Sequence, residues 1–244
     1  MAANSTKRKE AAKKQAPPAT AAPPVADAPP EPTPEPESLR RRRRSAEPLL
    51  AEIAWEAVNQ VGGIYTVIRS KLPSMVERWK QRYCVIGPYV HQTASIEFEA
   101  TTPIGPFGKA VRQLREEGIN VHFGHWLVTG RPRVVLLELN SAYGKLEELR
   151  GRLWHDHGIP TPGDSPMIND VVAFGYLVER FLTVLAEQEA DRRPIIAHFH
   201  EWMGGAAIPE LRRRNVPINT VFTTHATMLG RYVAANDPWY YDHV

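Results

Sequence analysis

Two histidines, His198 and His200, stand at the end of a short apolar run over residues 195–199. Such a run is typical of a buried strand, and residues two apart in a strand share a face. Their rings could bind a metal ion with His225 as third ligand, or line a polar edge for a sugar or phosphate. Because no cysteine or aspartate nearby completes a ligand set and Glu201 should point away, the sequence favours the polar edge. We expect no metal and no cofactor.

A pair of glycines, Gly62 and Gly63, follows an apolar run at residues 49–54 and precedes a helical pattern over residues 64–79. Glycine lets the backbone approach a ligand closely, and the first N–H groups of a helix have no partner within it. A helix start of this kind suits phosphate oxygens. The pair could equally serve only the geometry of a tight turn between strand and helix.

Polar groups also follow the last apolar run, at residues 220–222. Thr224 either caps the next helix or contacts a ligand together with His225. Arg231 lies less than two helical turns further on and need not meet the same ligand. Trp202, which follows the two histidines closely, is either a platform for a sugar or part of the core.

Asn169 and Asp170 stand at the start of a long helical pattern over residues 168–186. Either side chain can cap that helix, since both residue types are favoured at the N-cap. The alternative is direct contact with a bound sugar.

The remaining sequence predicts the elements that position these residues. Short runs rich in Val, Ile, Phe and Tyr alternate with segments of three- and four-residue apolar spacing. This alternation predicts an α/β fold with a Rossmann-like, doubly wound and mostly parallel sheet, in which ligands bind beyond the carboxyl ends of the strands. The predicted strands are residues 49–54, 83–86, 121–123, 134–139, 195–199 and 220–222; the predicted helices are residues 64–79, 110–117, 143–155, 168–186 and 203–213.

The first 48 residues differ from the rest. Ten of the 22 prolines lie before residue 50, and residues 1–50 carry ten of the 30 basic but only six of the 27 acidic residues. We expect a disordered tail over residues 1–48 and one domain over residues 49–244. The arginine run from Arg40 to Arg44 suits nucleic acid, polyphosphate or an anionic surface, but without interleaved aromatics it reads better as a solvated linker. We therefore do not expect nucleic acid as a partner.

Cys84 is the only cysteine in the 244 residues, so an internal disulfide is impossible. Its apolar neighbours predict a buried strand, and a lone buried cysteine is typical of a reducing compartment. No stretch approaches the roughly 18 apolar residues of a membrane span, and the N-terminus lacks an apolar signal region. We therefore expect a cytoplasmic protein that is not embedded in a membrane.

Taken in order, these stretches resemble the animal and fungal glycogen synthases. The resemblance rests on residues 52–68, 86–89, 123–127, 169–175, 197–202 and 222–232, and it covers roughly residues 49 to 244. It implies the N-terminal, acceptor-side half of an enzyme of the GT-B type, in which two Rossmann-like domains face a cleft. Such enzymes transfer glucose from UDP-glucose to the non-reducing end of an α-1,4-glucan, with retention at the anomeric carbon.

The resemblance also assigns roles to the residues. His200 is expected to be catalytic, beside the transferred glucose, and Gly62 and Gly63 are expected to bind the donor diphosphate. The other expected cleft residues are Glu201, Trp202, His225, Arg231, Asn169 and Asp170.

This sequence departs from the family pattern at Gln60, where a lysine usually stands two residues before the glycine pair. Losing a charge-assisted phosphate contact costs about 1.5–3 kcal/mol, which leaves the preference between UDP-glucose and ADP-glucose open. The family's catalytic carboxylate, its uridine pocket and the arginine-rich helix that senses glucose 6-phosphate lie in a C-terminal donor domain.

That donor domain is absent from these residues, and the aromatic stretch at residues 236–244 looks like a chain interrupted in mid-course. We expect no activity from this chain alone and a homo-oligomer for the full-length enzyme. The alternative is a stand-alone glucan-binding or regulatory module.

Overall fold

The computed structural model describes residues 46–237 and Trp239. The predicted tail, apart from its last three positions, lies outside the described residues, and so does the arginine run from Arg40 to Arg44.

One seven-stranded sheet organises the described residues. Its strands are β1 (Leu49–Ile53), β2 (Tyr83–Pro88), β3 (Phe98–Ala100), β4 (Val121–Trp126), β5 (Arg133–Leu137), β6 (Ile195–His200) and β7 (Asn219–Thr223). The strand order is β3-β4-β5-β2-β1-β6-β7. The adjacent strands β5, β2, β1, β6 and β7 pair in parallel. Strand β4 pairs antiparallel with both of its neighbours, β3 and β5. The predicted α/β fold with a mostly parallel sheet is confirmed.

Nine α-helices accompany these strands within the described range, besides one 3-10 turn at Lys80–Arg82. They are α1 (Gly63–Trp79), α2 (His91–Glu97), α3 (Gly105–Glu116), α4 (Asn140–Tyr143), α5 (Leu146–His157), α6 (Pro166–Glu189), α7 (Glu201–Gly205), α8 (Ile208–Arg213) and α9 (Met228–Asn236). None of the helices described between residues 46 and 237 combines the length and the apolar character that crossing a bilayer requires.

Alternation along the strands builds a core on each face of the sheet, because successive side chains point to opposite sides. Leu49, Ala51 and Ile53 of β1 join the core that packs against α3 and α6. Leu50, between them, joins the second core, to which α1 contributes Ile68. Covering both faces makes the fold doubly wound, and the buried Cys84 confirms the predicted strand at β2.

Two elements were not predicted, namely α2 and the short edge strand β3. Strand β3 lies against Gly124 of β4, where a Cβ would come within 1.9 Å of the Glu99 carbonyl oxygen. The close backbone approach therefore depends on glycine, which a count of apolar residues does not register. The predicted helix 143–155 begins at Leu146 as α5, because Gly144 and Lys145 separate it from the short α4. The predicted helix 203–213 is divided in two, with Pro209 near the start of α8.

Candidate active site

The glycine pair and the two histidines follow neighbouring strands. Strands β1 and β6 pair in parallel with Ile53 opposite Phe199, so the segments after both strands leave the same edge of the sheet. Neighbouring strands lie about 4.8 Å apart. A Cβ on Gly204 of α7 would lie 3.1 Å from the Ile53 carbonyl oxygen, so α7 packs directly on the end of β1. The structure thus brings Gly62, Gly63 and His200 to one edge.

A buried carboxylate, Glu52, lies beneath the histidines. It is fully buried in β1 and stands opposite His198 in the register, so its side chain shares a face with His198 and His200. Its Oε1 accepts a hydrogen bond from His200 Nε2 at 2.7 Å and forms an ion pair with Lys71. The Tyr83 hydroxyl donates to Oε2. Three donors from three elements therefore converge on one carboxylate.

The Glu52 carboxylate is charged at neutral pH. Burial alone would raise its pKa, but the hydrogen bond from His200 and the charge of Lys71 outweigh burial and hold the pKa at about 2. Burial and the neighbouring His200 lower the pKa of His198 to about 4, so that ring is neutral. Burial and the Glu52 charge raise the pKa of Tyr83, which stays a hydroxyl donor.

Glu52, His198 and His200 also form a possible metal-ligating group, since their candidate ligand atoms lie within 4.8 Å of one another. Lys71 already supplies a positive charge to the carboxylate, and Tyr83 occupies its second oxygen. The contacts therefore describe a buried carboxylate paired with a partly exposed lysine rather than a vacant ligand set. Sequence reasoning did not single out Glu52, although a lone charge within the apolar run 49–54 was a signal.

His200 connects this carboxylate to the surface. Its side chain is only 2% exposed, and its Nδ1 lies 2.9 Å from Nε2 of the exposed His225. The two rings stack with centroids 5.2 Å apart. The polar chain therefore runs from Glu52 through His200 to His225.

Glu201 holds the loop that carries His225. Its carboxylate accepts hydrogen bonds from the backbone N–H of His225 and, at 2.8 Å, from that of Ala226. Burial would raise the pKa of Glu201, but these backbone donors outweigh burial and lower it. Glu201 itself has a φ of 56°, which is uncommon outside glycine and is a form of strain often found at functional sites.

The carboxylate of Glu56 already binds part of the start of α1. Glu56, which is 8% exposed, accepts hydrogen bonds from the backbone N–H of Gly62 at 2.8 Å and of Tyr65 at 2.9 Å. Among the described residues, no acceptor meets the N–H groups of Gly63 and Ile64 between them. An anion therefore fits this helix start, and Glu56 occupies part of it.

The two glycines are not required by the turn itself. Neither has a positive φ, the conformation for which a turn needs glycine. A Cβ on Gly63 would meet no atom within 4 Å, and one on Gly62 would lie 3.1 Å from the Glu56 carboxylate. At Gly63 the missing side chain leaves open space over the helix start.

Comparison with known proteins matches the family model described as glycogen synthase to residues 52–244, most of the chain. The chain belongs to the glycogen synthase family. It is 42% identical over 197 residues to the glycogen [starch] synthase of Neurospora crassa and 39% identical over 199 residues to the liver glycogen [starch] synthase of Homo sapiens. These alignments cover 80% and 81% of this chain but only 28% of each relative.

A Dictyostelium discoideum glycogen [starch] synthase is 43% identical over 189 residues, or 77% of this chain and 21% of that protein. This member of the glycogen synthase family thus spans between 21% and 28% of the length of these relatives.

One interpretation of the sequence, that Asn169 or Asp170 caps α6, is wrong. Ser165 caps it, because its hydroxyl accepts from the backbone N–H of Ile168 at 3.4 Å. Asn169 instead accepts a hydrogen bond from Arg150 of α5, and Asp170 accepts one from the Tyr143 hydroxyl of α4. In this glycogen synthase segment both residues fasten neighbouring helices to α6.

The other predicted residues, Trp202, Thr224 and Arg231, lie in or between α7 and α9. Thr227, not Thr224, caps α9 by accepting from the Gly230 N–H at 2.9 Å. Arg231 lies in α9, and its side chain is outside the described part of the structure. Trp202 is 46% exposed and lines a cavity of about 450 Å³ between α5, α6 and α8.

Proposed function

We propose that this chain supplies the acceptor-side half of a retaining glucosyltransferase of the GT-B type. The enzyme transfers glucose from UDP-glucose to the non-reducing end of an α-1,4-glucan such as glycogen. The relatives extend well beyond the matched region. We propose that a donor-binding domain, formed by residues that correspond to the unmatched part of the relatives, completes the cleft. The chain alone is then inactive.

The observation that carries this proposal is the helix start at Gly63. Its glycines serve no turn geometry, two of its N–H groups have no acceptor among the described residues, and it shares a sheet edge with His200. Glucosyl transfer builds negative charge on the leaving diphosphate. Backbone N–H groups fixed in advance stabilise such charge without reorganisation during the reaction.

The glucose unit belongs beside the imidazoles in this proposal. His200 is the catalytic residue that the family resemblance predicts, and Glu201 and His225 lie with it at the end of β6. The acceptor glucan would lie on the side of Trp202, whose ring is 46% exposed, near the α6 start with Asn169 and Asp170. Exposed Gln60 leaves the nucleotide of the donor, UDP or ADP, open.

Two broader properties belong to the proposal as well. The completed enzyme is a homo-oligomer, and it acts in a reducing, cytoplasmic compartment that suits the buried thiol of Cys84.

The second candidate is a glucan-binding module that needs no donor. The exposed rings of Trp202 and Phe222, which both line the cavity beside α6, favour it. Retardation of this chain in a glycogen-containing gel that is unaffected by UDP-glucose would support the module over the enzyme.

The test compares Gly63→Ala with Gly144→Ala in the full-length enzyme that contains this chain. A Cβ meets no atom within 4 Å at either position, so both variants should fold like the parent. We expect Gly63→Ala to raise KM for UDP-glucose about tenfold, equivalent to about 1.4 kcal/mol, because the methyl group obstructs the diphosphate. Gly144→Ala should leave KM unchanged.

Equal KM values in the two variants would contradict the donor site. Separately, glucose transfer to glycogen by the purified 244-residue chain would contradict the need for a second domain.

A further inference from the structure

We infer that a basic cavity at the amino edge of the sheet binds a phosphate group, either as inorganic phosphate or on a small phosphomonoester. The cavity has a volume of about 270 Å³ and lies where β2 and β5 begin and β4 ends. Lys80, His125, Arg131 and Arg133 line it. The inference does not depend on glucosyl transfer, because this edge is opposite the one that carries Gly63.

The fold brings these side chains together from separate segments. The antiparallel pairing of β4 and β5 sets His125 directly opposite Arg133, so the two side chains share a face of the sheet. Arg131 belongs to the turn between these strands, and Lys80 lies between the end of α1 and the start of β2. The basic cluster is therefore a product of the topology rather than a run of cations in the sequence.

The cavity carries an excess of positive charge. None of its lining residues in the described chain is acidic. Glu99, which lies opposite His125 in the register, forms an ion pair with Arg131 and offsets one of the three permanent cations. No carboxylate among the described residues pairs with Arg133 or Lys80. Two positive charges therefore remain to attract an anion.

His125 adds an independent observation. Its Nδ1 is buried and forms no hydrogen bond within the described part of the chain. Unpartnered buried polar atoms are rare in folded proteins, because leaving one unpaired costs free energy. Burial and the charges of Arg131 and Arg133 lower the pKa of this ring, while Glu99 acts in the opposite direction. An anion beside the two arginines would offset their repulsion and accept a hydrogen bond from the imidazole.

The size and charge of the cavity select the class of anion. A phosphate group brings about 1.5 to 2 negative charges near neutral pH and three oxygens that accept hydrogen bonds, whereas a carboxylate brings one charge. Planar guanidinium groups match phosphate oxygens in geometry. The volume of about 270 Å³ is below the roughly 300–1,000 Å³ of sites for drug-sized ligands, so the rest of the ligand must be small.

NMR titration of the His125 ring in the 244-residue chain tests this site locally. We expect inorganic phosphate and glycerol phosphate to raise the His125 pKa in a saturable way, because a bound dianion stabilises the imidazolium. Tighter binding of inorganic phosphate identifies the free ion as the ligand, and tighter binding of glycerol phosphate identifies a phosphomonoester. An unchanged His125 titration, or an equal change with potassium chloride at the same ionic strength, would overturn the inference.

Lys80→Met removes a cation that has no partner among the described residues. We expect it to raise the Kd of phosphate, measured at His125, by about tenfold through the loss of a charge-assisted contact. Lys109→Met is the matched control, since Lys109 is exposed on α3, does not line the cavity and carries the same charge. Equal Kd values in the two variants would contradict the assignment.

A control variant separates this site from the start of α1. Gly63 begins α1 and Lys80 lies just beyond its end, and the 17 residues of the helix span about 25 Å. Gly63→Ala should therefore leave the phosphate-dependent change at His125 intact. Loss of that change in Gly63→Ala would show that the effect comes from phosphate at the start of α1, and would overturn the inference of a separate site.

Discussion

Replacing Glu56 by glutamine should tighten the binding of pyrophosphate to this chain. The Glu56 carboxylate accepts from Gly62 and Tyr65 at 2.8 and 2.9 Å, directly beside the N–H groups of Gly63 and Ile64 that a phosphate would use. A bound phosphate therefore meets a like charge at close range. Glu56→Gln keeps an acceptor oxygen for the helix start and removes that charge.

The size of the effect follows from the separation. Two unit charges about 4 Å apart interact by about 1 kcal/mol in water and by about 4 kcal/mol near a protein surface. Because Glu56 is 8% exposed but the ligand side is open, we expect a value toward the lower end, about 1–2 kcal/mol. That corresponds to an affinity gain of about 5- to 30-fold.

Isothermal titration of pyrophosphate into the 244-residue chain measures this gain. Glu77→Gln is the matched control, since Glu77 is an exposed residue on α1 and its replacement changes the net charge equally. The free energy of unfolding of Glu56→Gln should fall by no more than about 0.5 kcal/mol, the lower end for a lost helix cap, because glutamine keeps an acceptor oxygen. Unchanged or weaker binding in Glu56→Gln, or equal tightening in Glu77→Gln, would refute the competition between Glu56 and phosphate.

Three other perturbations have definite outcomes. The folded-state pKa of Glu52 is about 2, below its usual 4.5, so the ionised carboxylate stabilises the fold above about pH 4.5. This contribution to the free energy of unfolding falls by about 2 kcal/mol on reaching about pH 3. Denaturant titrations should show that Glu52→Gln lacks this fall, and an unaltered pH dependence in that variant would contradict it. Gly124→Ala should cost about 1–3 kcal/mol in thermal unfolding, because its methyl group collides with the Glu99 carbonyl, and wild-type stability would contradict that collision. Glu201→Ala should speed amide hydrogen exchange at His225 and leave exchange in the core strands unchanged, whereas undiminished protection there would show that the loop is held otherwise.

The strands and helices that form the site were predictable because burial imposes its periodicity on them. The alternation of short apolar runs with helical patterns predicted the parallel strands and the long helix α6, observed at Pro166–Glu189. Edge strand β3 was not predicted because its pairing depends on the absence of a side chain at Gly124, not on its own three residues. Caps were misassigned at α6 and α9 because several Ser, Thr, Asn and Asp residues compete within one turn of each helix start.

The candidate site was predictable only in part. A strand pattern places His198 and His200 on one face, and the structure confirms that they share it. The sequence cannot say that Glu52 lies opposite His198, because that register joins residues 146 positions apart. Nor does any local pattern show that Glu56 folds back onto Gly62, since this contact depends on the path of the intervening loop.

The energetics of Glu52 argue that it serves orientation rather than stability. Bringing a carboxylate into a fully buried strand costs several kcal/mol, and pairing with Lys71 offsets that cost only partly. A neutral side chain that keeps an acceptor for Tyr83 would fold about as well. We therefore expect the double variant Glu52→Gln/Lys71→Met to lie within about 1 kcal/mol of the parent in free energy of unfolding, while Glu52→Leu alone loses about 3 kcal/mol because the buried Tyr83 hydroxyl and His200 Nε2 lose their acceptor.

The same pair of variants separates stability from orientation. In the double variant the fold is retained, but the glutamine amide both donates and accepts and no longer fixes the proton on His200 Nε2. Imidazole nitrogen shifts should then report mixed tautomers at His200 in a protein of normal stability. If the double variant were as destabilised as Glu52→Leu alone, or kept the parent tautomers, the carboxylate would be part of the scaffold and not a means of orienting the histidines.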